Sequence, residues 1–298
     1  MMTMINQDFV TILGVRIDRV GLKQAQEKVR AFLRSDKQRK IFTPNPEMLV
    51  AARKDEYFRN VLNAGDLNIC DGRGIELVSK LSFRAKSLGY ARDKLRGVEE
   101  SLLERIPGVD FMQDICKIAE EENKSVYLLG SGSEEVVKKT REALLIKFHR
   151  LKIVGGHQGM KLETRNTKLE TKKQSPIPNH QFPVSSFQFP IIFDKQENDS
   201  ILNNIILTAP DILFVAFGHG KQEKWIHEYL KDLPSVKVAM GVGGAFDYLS
   251  GKIKRAPKLV QNIGMEWLWR FFKEPRRFLR ILNATVVFSI SVLIFNKK

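Results

Sequence analysis

The stretch from Pro210 to Asp247 constrains the fold of this chain more than any other feature. It opens with a six-residue apolar run, Ile212 to Phe217, and later contains a second strand-like run, Val236 to Met240. Both runs end in glycines. An apolar run without in/out alternation predicts a strand that is buried on both faces, as in a parallel sheet. Because neighbouring parallel strands end at the same edge of a sheet, we expect a ligand-binding crevice where the two loops meet.

The loops after these two runs contain residues that suit a phosphate-bearing ligand. The first is Gly218-His219-Gly220-Lys221, before a predicted helix that opens at Gln222, and the second runs from Gly241 to Asp247. Glycines let backbone N–H groups approach a ligand, and a helix N-terminus favours an anion such as a diphosphate. For one loop, a tight turn without a ligand is an equally good interpretation. Two such loops in succession, both with polar residues, favour a binding site.

The rest of the chain alternates between strand-like runs and helical patterns. Further strands are predicted at Val10–Arg16, Lys40–Phe42, Leu67–Cys70, Ser125–Leu129 and Leu151–Val154. Helices are predicted at Leu22–Leu33, Glu47–Leu62, Phe111–Glu122, Ser133–Phe148 and Ile201–Leu207. This alternation predicts an α/β fold with a mostly parallel sheet flanked by helices.

The charge of the chain indicates an anionic partner. Its 49 basic and 34 acidic residues give a net charge of +15, which suits nucleic acid, an anionic membrane surface or a phosphorylated substrate. Cys70 and Cys116 form neither a disulfide framework nor a metal-binding spacing, so a reducing cytoplasm is the simplest location. The first residues lack the charged-then-apolar layout of a signal peptide.

Polar residues follow several of the predicted strands. They are Thr43, Asn45, Asp71, Arg105, Gln222 and Asp247. This set suits transfer from a nucleotide-activated donor to a hydroxyl acceptor, with one carboxylate as base and an arginine with backbone amides to hold a diphosphate. Asp71 precedes the turn Gly72-Arg73-Gly74, and that local pattern alone favours a helix N-cap over a catalytic carboxylate. The five histidines show no metal-ligand spacing, and no serine lies in a nucleophile elbow.

A third glycine loop, Gly130-Ser131-Gly132-Ser133, joins a predicted strand to the next helix. A strand–loop–helix junction of this kind suits phosphate binding. It matches neither the full dinucleotide fingerprint nor a Walker loop, so alone it is a weak indication.

Four segments depart from the alternation. Ser82 to Glu104 is basic at first and predicts a surface insertion, and Lys161 to Ser200 is polar without a period and predicts a flexible excursion. Lys252 to Arg280 mixes basic and aromatic residues, which suits an interfacial element on an anionic membrane as well as a terminal helix that packs on the core. Ile281 to Phe295 is apolar but shorter than the roughly 20 residues of a spanning helix, so we expect shallow membrane contact, although a strand is also allowed.

Five motifs, in this order, resemble the WecG/TagA/CpsF glycosyltransferase family. They are Thr43-Pro44-Asn45-Pro46-Glu47, Asp71-Gly72-Arg73-Gly74, Arg105-Ile106-Pro107-Gly108-Val109-Asp110, Gly218-His219-Gly220-Lys221-Gln222-Glu223-Lys224-Trp225 and Val242-Gly243-Gly244-Ala245-Phe246-Asp247. The later motifs Lys254-Arg255-Ala256-Pro257, Glu266-Trp267-Leu268-Trp269-Arg270 and Glu274-Pro275-Arg276-Arg277 are similar to the C-terminal appendage of that family. The likeness covers nearly the whole chain.

The resemblance implies a Rossmann-like core over residues 1–250, with 161–200 as a flexible insertion, and a membrane-associating, acceptor-binding appendage over 251–298. It implies an inverting, metal-independent hexosyltransferase without a cofactor. The donor would be a UDP-sugar, N-acetylmannosamine or a relative, and the acceptor a polyprenyl-diphosphate-linked N-acetylglucosamine. The enzyme would be a peripheral protein at the inner face of the cell membrane and would act in cell-surface polysaccharide or teichoic-acid-type polymer synthesis.

The resemblance also implies roles for single residues. Asp71 would be the general base, with Thr43 in the same pocket, while Arg105 and Gln222 would contact the donor or stabilise the departing UDP. The residues implied to bind the donor are Asn45, Gly130, Ser131, Gly218, Gly243, Gly244, Phe246 and Asp247. The residues implied to bind the acceptor diphosphate are Arg270, Arg276, Arg277 and Arg280.

Two other protein classes are weighed against the transferase. Another nucleotide-sugar-binding Rossmann enzyme, such as an oxidoreductase or epimerase, would need a Gly-x-Gly-x-x-Gly fingerprint after the first strand, and the sequence has none there. A nucleic-acid-binding protein would explain the charge but would leave Asp71 and Gln222 without a role. We therefore expect no nucleic-acid partner, and homo-oligomerisation is left open. Removal of the residues after about Gly251 is predicted to abolish transfer and to leave a core that can fold.

Overall fold

The computed structural model describes residues 8–79, 103–159, 194–262, 266, 268–269 and 286–295. Strands in this part of the chain are β1 (Phe9–Ile12), β2 (Val15–Asp18), β3 (Arg39–Phe42), β4 (Leu67–Asn68), β5 (Ser125–Gly130), β6 (Lys152–His157), β7 (Ile212–Ala216) and β8 (Val238–Gly241). The first two form an antiparallel hairpin. The other six form one sheet of order β4-β3-β8-β7-β5-β6, in which every described pairing is parallel. The predicted α/β fold with a mostly parallel sheet is confirmed.

Helices lie on both sides of the six-stranded sheet. They are α1 (Leu22–Arg34), α2 (Pro46–Lys54), α3 (Glu56–Asn63), α4 (73–79), α5 (Gly108–Glu121), α6 (Glu134–Lys147), α7 (Lys195–Thr208), α8 (Lys221–Tyr229), α9 (Ala245–Leu249), α10 (Lys258–Asn262) and α11 (Phe288–Phe295). Buried residues of α2, α3, α7, α8 and α11 form one core cluster with the hairpin, and those of α1, α5, α6 and α9 form a second. The sheet is therefore held between two apolar layers.

The central strands show why the sequence lacks polar alternation there. In β5, Val126 and Leu128 belong to one core cluster, whereas Tyr127 and Leu129 belong to the other. All five residues of β7 are buried. Since helices cover both faces of the sheet, both faces of its central strands must be apolar.

The predicted first strand, Val10 to Arg16, is two strands. Leu13 and Gly14 have φ angles of 50° and 82° and form the two-residue turn between β1 and β2. Two-residue hairpin turns need positive φ, which glycine adopts readily and leucine rarely does. The Leu-Gly pair lacks the usual Asn-Gly or Asp-Gly signature, which is why the sequence pattern did not indicate a turn.

Two helix boundaries also differ from the prediction. The predicted helix Glu47–Leu62 is divided at Asp55, whose side chain accepts a hydrogen bond from Phe58 N–H at 2.9 Å and caps α3. In the other case α7 begins at Lys195, so the predicted flexible excursion Lys161–Ser200 is wrong for residues 195–200. Residues 160–193 of that excursion, and residues 82–102 of the predicted basic insertion, lie outside the described residues.

The described end of the apolar C-terminal stretch is helical and packs on the core. Phe288, Ser291 and Val292 of α11 are buried, and Arg53 of α2 donates a hydrogen bond to Ser291 Oγ at 3.1 Å. Removal of the residues after Gly251 would delete this packing, so we expect the truncated chain to be destabilised. Membrane contact by the rest of the stretch stays a prediction. Within the described residues, no helix has the length and apolarity that crossing a membrane requires.

Candidate active site

A cleft of about 770 Å³ lies at the carboxyl edge of the six-stranded sheet. Since the described strands of this sheet are parallel, the loops that follow them meet at one edge. Predicted site residues in the lining of the cleft are Thr43, Asn45, Asp71, Arg105, Ser131, Gly218, Gln222, Gly243, Gly244, Phe246 and Asp247. The structure thus brings separate sequence motifs into one place. The predicted acceptor residues Arg270, Arg276, Arg277 and Arg280 lie outside the described residues.

Asp71 is held in the cleft by the backbone around it. Its N–H donates to the carbonyl of Pro44 at 3.1 Å, and its carboxylate accepts a hydrogen bond from Gly108 N–H. Burial raises the pKa of Asp71 from 3.8 to about 6, against the opposite effects of the Arg105 guanidinium and the Gly108 N–H. A carboxylate with this pKa can accept a proton from a substrate near neutral pH.

The N-cap interpretation of Asp71 is wrong. The helix that follows, α4, starts after Gly72, whose carbonyl accepts the N–H groups of Ile75 and Glu76 at 3.1 and 3.2 Å. The Asp71 carboxylate instead contacts Gly108 at the beginning of α5. Local sequence could not indicate this, because Gly108 approaches Asp71 only through the tertiary fold.

Thr43, Asp71 and Gly108 pack closely together. A Cβ atom added to Gly108 would lie 3.3 Å from Asp71 Oδ2 and 3.5 Å from both Cγ2 and Oγ1 of Thr43. Thr43 is itself buried. Because Gly108 has no side chain, the Asp71 carboxylate and the Thr43 hydroxyl can both lie against it.

Asn45 has a structural role in addition to its place in the cleft. Its Oδ1 accepts a hydrogen bond from Met48 N–H at 3.0 Å and caps α2, with Pro46 as the first residue of that helix. Such a cap is worth about 1 kcal/mol. A donor-binding role for Asn45 would therefore use its Nδ2 group.

Two arginines in the lining are paired with carboxylates. Arg105 Nη2 lies 2.5 Å from Glu266 Oε2, and Arg105 Nη1 donates to the carbonyl of Gln261 at 3.3 Å. Arg255 donates to both oxygens of Asp110 at 2.5 and 2.8 Å, and its Nε lies 3.2 Å from Glu266 Oε1. The hydrogen bonds to Asp110 and the nearby carboxylates raise the pKa of Arg255. The predicted contact of Arg105 with a donor phosphate therefore competes with Glu266.

Gln222 connects the two glycine loops. Its Oε1 accepts a hydrogen bond from Gly243 N–H at 2.9 Å, and its Nε2 donates to Glu223 Oε1 at 2.7 Å. Glu223 is fully buried, and burial raises its pKa from 4.5 to about 7. Glu223 is not among the predicted site residues, because a single glutamate near the start of a helix usually faces solvent.

The loop Gly130-Ser131-Gly132 differs from a phosphate-binding loop in its hydrogen bonds. Ser131 N–H donates to the carbonyl of Ala216 at 2.9 Å, and Gly132 N–H donates to the carbonyl of Gln158 at 2.8 Å. Gly130 is absent from the lining residues, and a Cβ there would lie 2.7 Å from the backbone of Ala216. The glycine at 130 is thus explained by close strand packing. Ser131 lines the cleft with a φ of 74°, which is unusual for a residue with a side chain.

The segment after β8 is a short turn followed by α9 rather than one continuous loop. Gly243 has a φ of 54°, and α9 begins at Ala245. Phe246 is fully buried, so its predicted contact with the donor would be limited to apolar packing. Asp247 Oδ1 lies 3.1 Å from Lys252 Nζ.

Comparison with known proteins shows the family to which the chain belongs. A sequence model described as the Glycosyl transferase WecG/TagA/CpsF family matches residues 10–298. The chain belongs to this family. It is also 27% identical over 279 residues to proteins of Staphylococcus aureus strains MW2, NCTC 8325 / PS 47 and COL, across 93% of this chain and 89% of each relative. Each of these relatives is named N-acetylglucosaminyldiphosphoundecaprenol N-acetyl-beta-D-mannosaminyltransferase.

As a member of this glycosyltransferase family, the protein is an enzyme that transfers a sugar. Family membership favours the transferase over the other Rossmann enzymes and over a non-catalytic nucleic-acid-binding protein. The cleft of this glycosyltransferase also contains residues that are not among the predicted site residues, namely Glu47, His219, Tyr248, Arg255 and Glu266. His219 Nε2 lies 3.5 Å from Glu47 Oε1, which joins the loop after β7 to α2. Glu47 and His219 were detectable from their motifs, whereas the approach of Arg255 and Glu266 to the cleft depends on tertiary structure.

Proposed function

We propose that this glycosyltransferase moves N-acetylmannosamine, or a related sugar, from a UDP-sugar to a polyprenyl-diphosphate-linked N-acetylglucosamine, with inversion and without a metal ion. The names of the relatives support this acceptor and this class of sugar. The observation that carries the chemistry is the position of Asp71. Its carboxylate lies in the cleft beside Thr43 and Gly108, and its pKa of about 6 is suited to a general base.

The reaction is a single displacement at the anomeric carbon of the donor. Asp71 accepts the proton of the acceptor hydroxyl, the hydroxyl oxygen forms the new glycosidic bond, and the donor's bond to UDP breaks with its electron pair on the departing diphosphate. Attack from the face opposite the leaving group inverts the configuration. Thr43 lies beside the base and positions the attacking hydroxyl.

The departing diphosphate needs positive charge and hydrogen-bond donors. Arg105 supplies a guanidinium in the lining of the cleft, and Gln222, which also lines the cleft, accepts a hydrogen bond from Gly243 N–H and so holds that turn. A preorganised donor stabilises charge that develops in the transition state without further reorganisation. Further residues assigned to the donor are Asn45, Ser131, Gly218, Gly244 and Asp247, all of which line the cleft.

The acceptor is assigned to the C-terminal part of the chain. Arg270, Arg276, Arg277 and Arg280 are proposed to bind its diphosphate, and the aromatic residues between them are proposed to rest on the anionic inner face of the membrane. The net charge of +15 favours such a surface. In this proposal the enzyme is a peripheral membrane protein that acts in the synthesis of a cell-surface polysaccharide or teichoic-acid-type polymer.

The test measures UDP release from UDP-N-acetylmannosamine with a lipid-diphosphate-linked N-acetylglucosamine, in the presence of EDTA. The wild type is compared with Asp71→Asn and with the matched control Asp199→Asn, which changes an exposed residue of α7. We expect acceptor-dependent release in the wild type and the control and a loss of at least about a hundredfold in Asp71→Asn.

Release from a different UDP-sugar would keep the mechanism and change the substrate. A folded wild-type protein that releases UDP from no member of a UDP-sugar panel would overturn the proposed function. Full activity in Asp71→Asn would remove the role of this carboxylate.

A further inference from the structure

Glu223 is a buried carboxylate to which the proposed reaction gives no role. It is the third residue of α8 and is fully buried. Its Oε2 accepts a hydrogen bond from Gly220 N–H at 2.6 Å, and its Oε1 accepts one from Gln222 Nε2 at 2.7 Å. A buried carboxylate is costly to fold, and an amide of the same shape would avoid most of that cost. A carboxylate at this buried position therefore calls for a physical explanation.

The hydrogen bonds of Glu223 belong to a series of hydrogen bonds that connects one glycine loop to the other. Beyond Glu223, the side chain of Gln222 accepts a hydrogen bond from Gly243 N–H at 2.9 Å. Three hydrogen bonds thus connect Gly220, after β7, to Gly243, after β8. Both Gln222 and Gly243 line the cleft.

These three hydrogen bonds can form together in only one arrangement of donors and acceptors. Both ends are backbone N–H donors, so residues 222 and 223 must each present an oxygen outwards. At their mutual contact one side chain must then donate and the other accept. If the Gln222 amide turned over, its NH₂ would face Gly243 N–H and its oxygen would face the Glu223 carboxylate. The Gly243 N–H group and the accepting oxygen of Glu223 therefore together fix the orientation of Gln222.

Packing leaves Gln222 little freedom to escape this arrangement. Gln222 is 2% exposed, and a Cβ added to Gly241 would lie 2.8 Å from its Nε2. Gly243 has a positive φ of 54°, so the turn that receives the last hydrogen bond adopts a conformation suited to glycine. A change in Gln222 would therefore be transmitted directly to the backbone of this turn.

We propose that Glu223 is a positioning residue of the donor site, which fixes the Gln222 amide and, through it, the Gly243 turn against which the nucleotide diphosphate lies. This inference rests on the proposed function for the identity of the ligand. Glu223 acts through Gln222 and does not itself touch the substrate.

The donor–acceptor logic can be tested with two single variants and their combination. In Glu223→Gln, two NH₂ groups meet at the 222–223 contact, and in Gln222→Glu, two carboxylates meet there. The double variant Gln222→Glu/Glu223→Gln restores one donor and one acceptor at the contact and keeps an oxygen at each end. We expect each single variant to lower Tm by about 2–6 °C and the double variant to recover most of this loss. A double variant no more stable than the singles would overturn the inference.

The functional part is tested by calorimetric titration with UDP and by steady-state kinetics, at a temperature where circular dichroism shows each variant folded. The matched control is Glu228→Gln, an exposed residue of the same helix. We expect Glu223→Gln to bind UDP about tenfold more weakly and to raise KM for the donor by more than it lowers kcat. Glu228→Gln should behave as the wild type.

The outcomes separate this inference from the proposed function. Wild-type protein that fails to bind UDP overturns the proposed function and the donor role of Glu223 with it. Wild-type protein that binds UDP, with equal affinity in Glu223→Gln, overturns only the positioning role. A variant that loses stability but keeps its UDP affinity also overturns it, since the side chain would then be structural only.

Discussion

Arg105 and Glu266 form an ion pair in the lining of the cleft, with 2.5 Å between Nη2 and Oε2. Glu266 also lies 3.2 Å from Arg255, which in turn holds Asp110 at the start of α5. These contacts connect the C-terminal part of the chain to the segment that carries Gly108 and supports Asp71. They form a cluster of four charged side chains, most of them largely shielded from solvent.

The first prediction concerns this cluster. Glu266→Gln removes the charge that pairs with Arg105 and Arg255, so we expect the C-terminal part to be held less firmly and transfer to fall about tenfold. The measurement is kcat/KM for both substrates. The matched control is Glu56→Gln, since Glu56 is 76% exposed in its pair with Arg59 and such pairs contribute little. Equal rates in the two variants would show that the Glu266 pair has no part in catalysis.

The second prediction concerns the pH dependence of the rate. Asp71 has a pKa of about 6 and must be ionised to act as base, so kcat/KM should rise with pH below about 6 and level off above it. The negative charge of Glu266 raises the pKa of Asp71, and Glu266→Gln should therefore move the acid limb to lower pH. A limb that stays in place or moves to higher pH in this variant would contradict the assignment to Asp71.

The third prediction concerns stability. The pKa of Asp71 is raised on folding from 3.8 to about 6, so the stability contributed by its neutral form is present below pH 3.8 and is lost as the pH rises through 6. At pH 8 the ionised carboxylate therefore costs free energy, and Asp71→Asn should be more stable than the wild type by about 3 kcal/mol. Urea unfolding should show this gain shrink from pH 8 to pH 5. A loss of stability at pH 8 would refute the direction.

The fourth prediction separates packing from activity at Gly108. An added Cβ would lie 3.3 Å from Asp71 Oδ2, so Gly108→Ala should displace the carboxylate and lower kcat at least about tenfold. Gly108 is the first residue of α5 and its φ is not positive, so its backbone accepts alanine, and the free energy of unfolding should change by no more than about 1 kcal/mol. The two measurements are made on the same preparation. A wild-type kcat would show that the cluster has room for a methyl group.

The fifth prediction distinguishes the two roles of Asn45. Asn45→Ala loses the cap of α2 and should destabilise the protein by about 1 kcal/mol, whereas Asn45→Ser keeps an oxygen for the cap. If the Nδ2 group binds the donor, Asn45→Ser should retain stability and still raise the donor KM about tenfold. Unfolding curves and steady-state kinetics on both variants provide the comparison. A serine variant with an unchanged KM would leave Asn45 with the capping role alone.

The sequence by itself determined the fold class and most of the cleft. Apolar runs without alternation can be buried only between two covering layers, which predicts a parallel sheet, and in a parallel sheet the loops after the strands share one edge. For that reason Thr43, Asp71, Gln222 and the Gly243 loop could be placed together before their contacts were known. The backbone conformation at two positions could not be predicted in this way. The turn at Leu13 and the break at Asp55 depend on backbone conformations that this composition does not indicate.

Only the tertiary structure decided what each of these side chains contacts within the cleft. Asp71 follows the pattern of a helix cap, but the approach of Gly108 and burial make it a carboxylate with a pKa of about 6. Glu266 contacts Arg105 from 161 positions away in the sequence. Gln222 donates its hydrogen bond to Glu223 because the outer oxygens of the two side chains accept from Gly243 N–H and Gly220 N–H. The strength of a hydrogen bond and the degree of desolvation change when the distance between two segments changes by a few tenths of an ångström, and these segments lie far apart in the sequence. Periodicity and motif spacing determine which segments meet, and packing determines the chemistry at the contact.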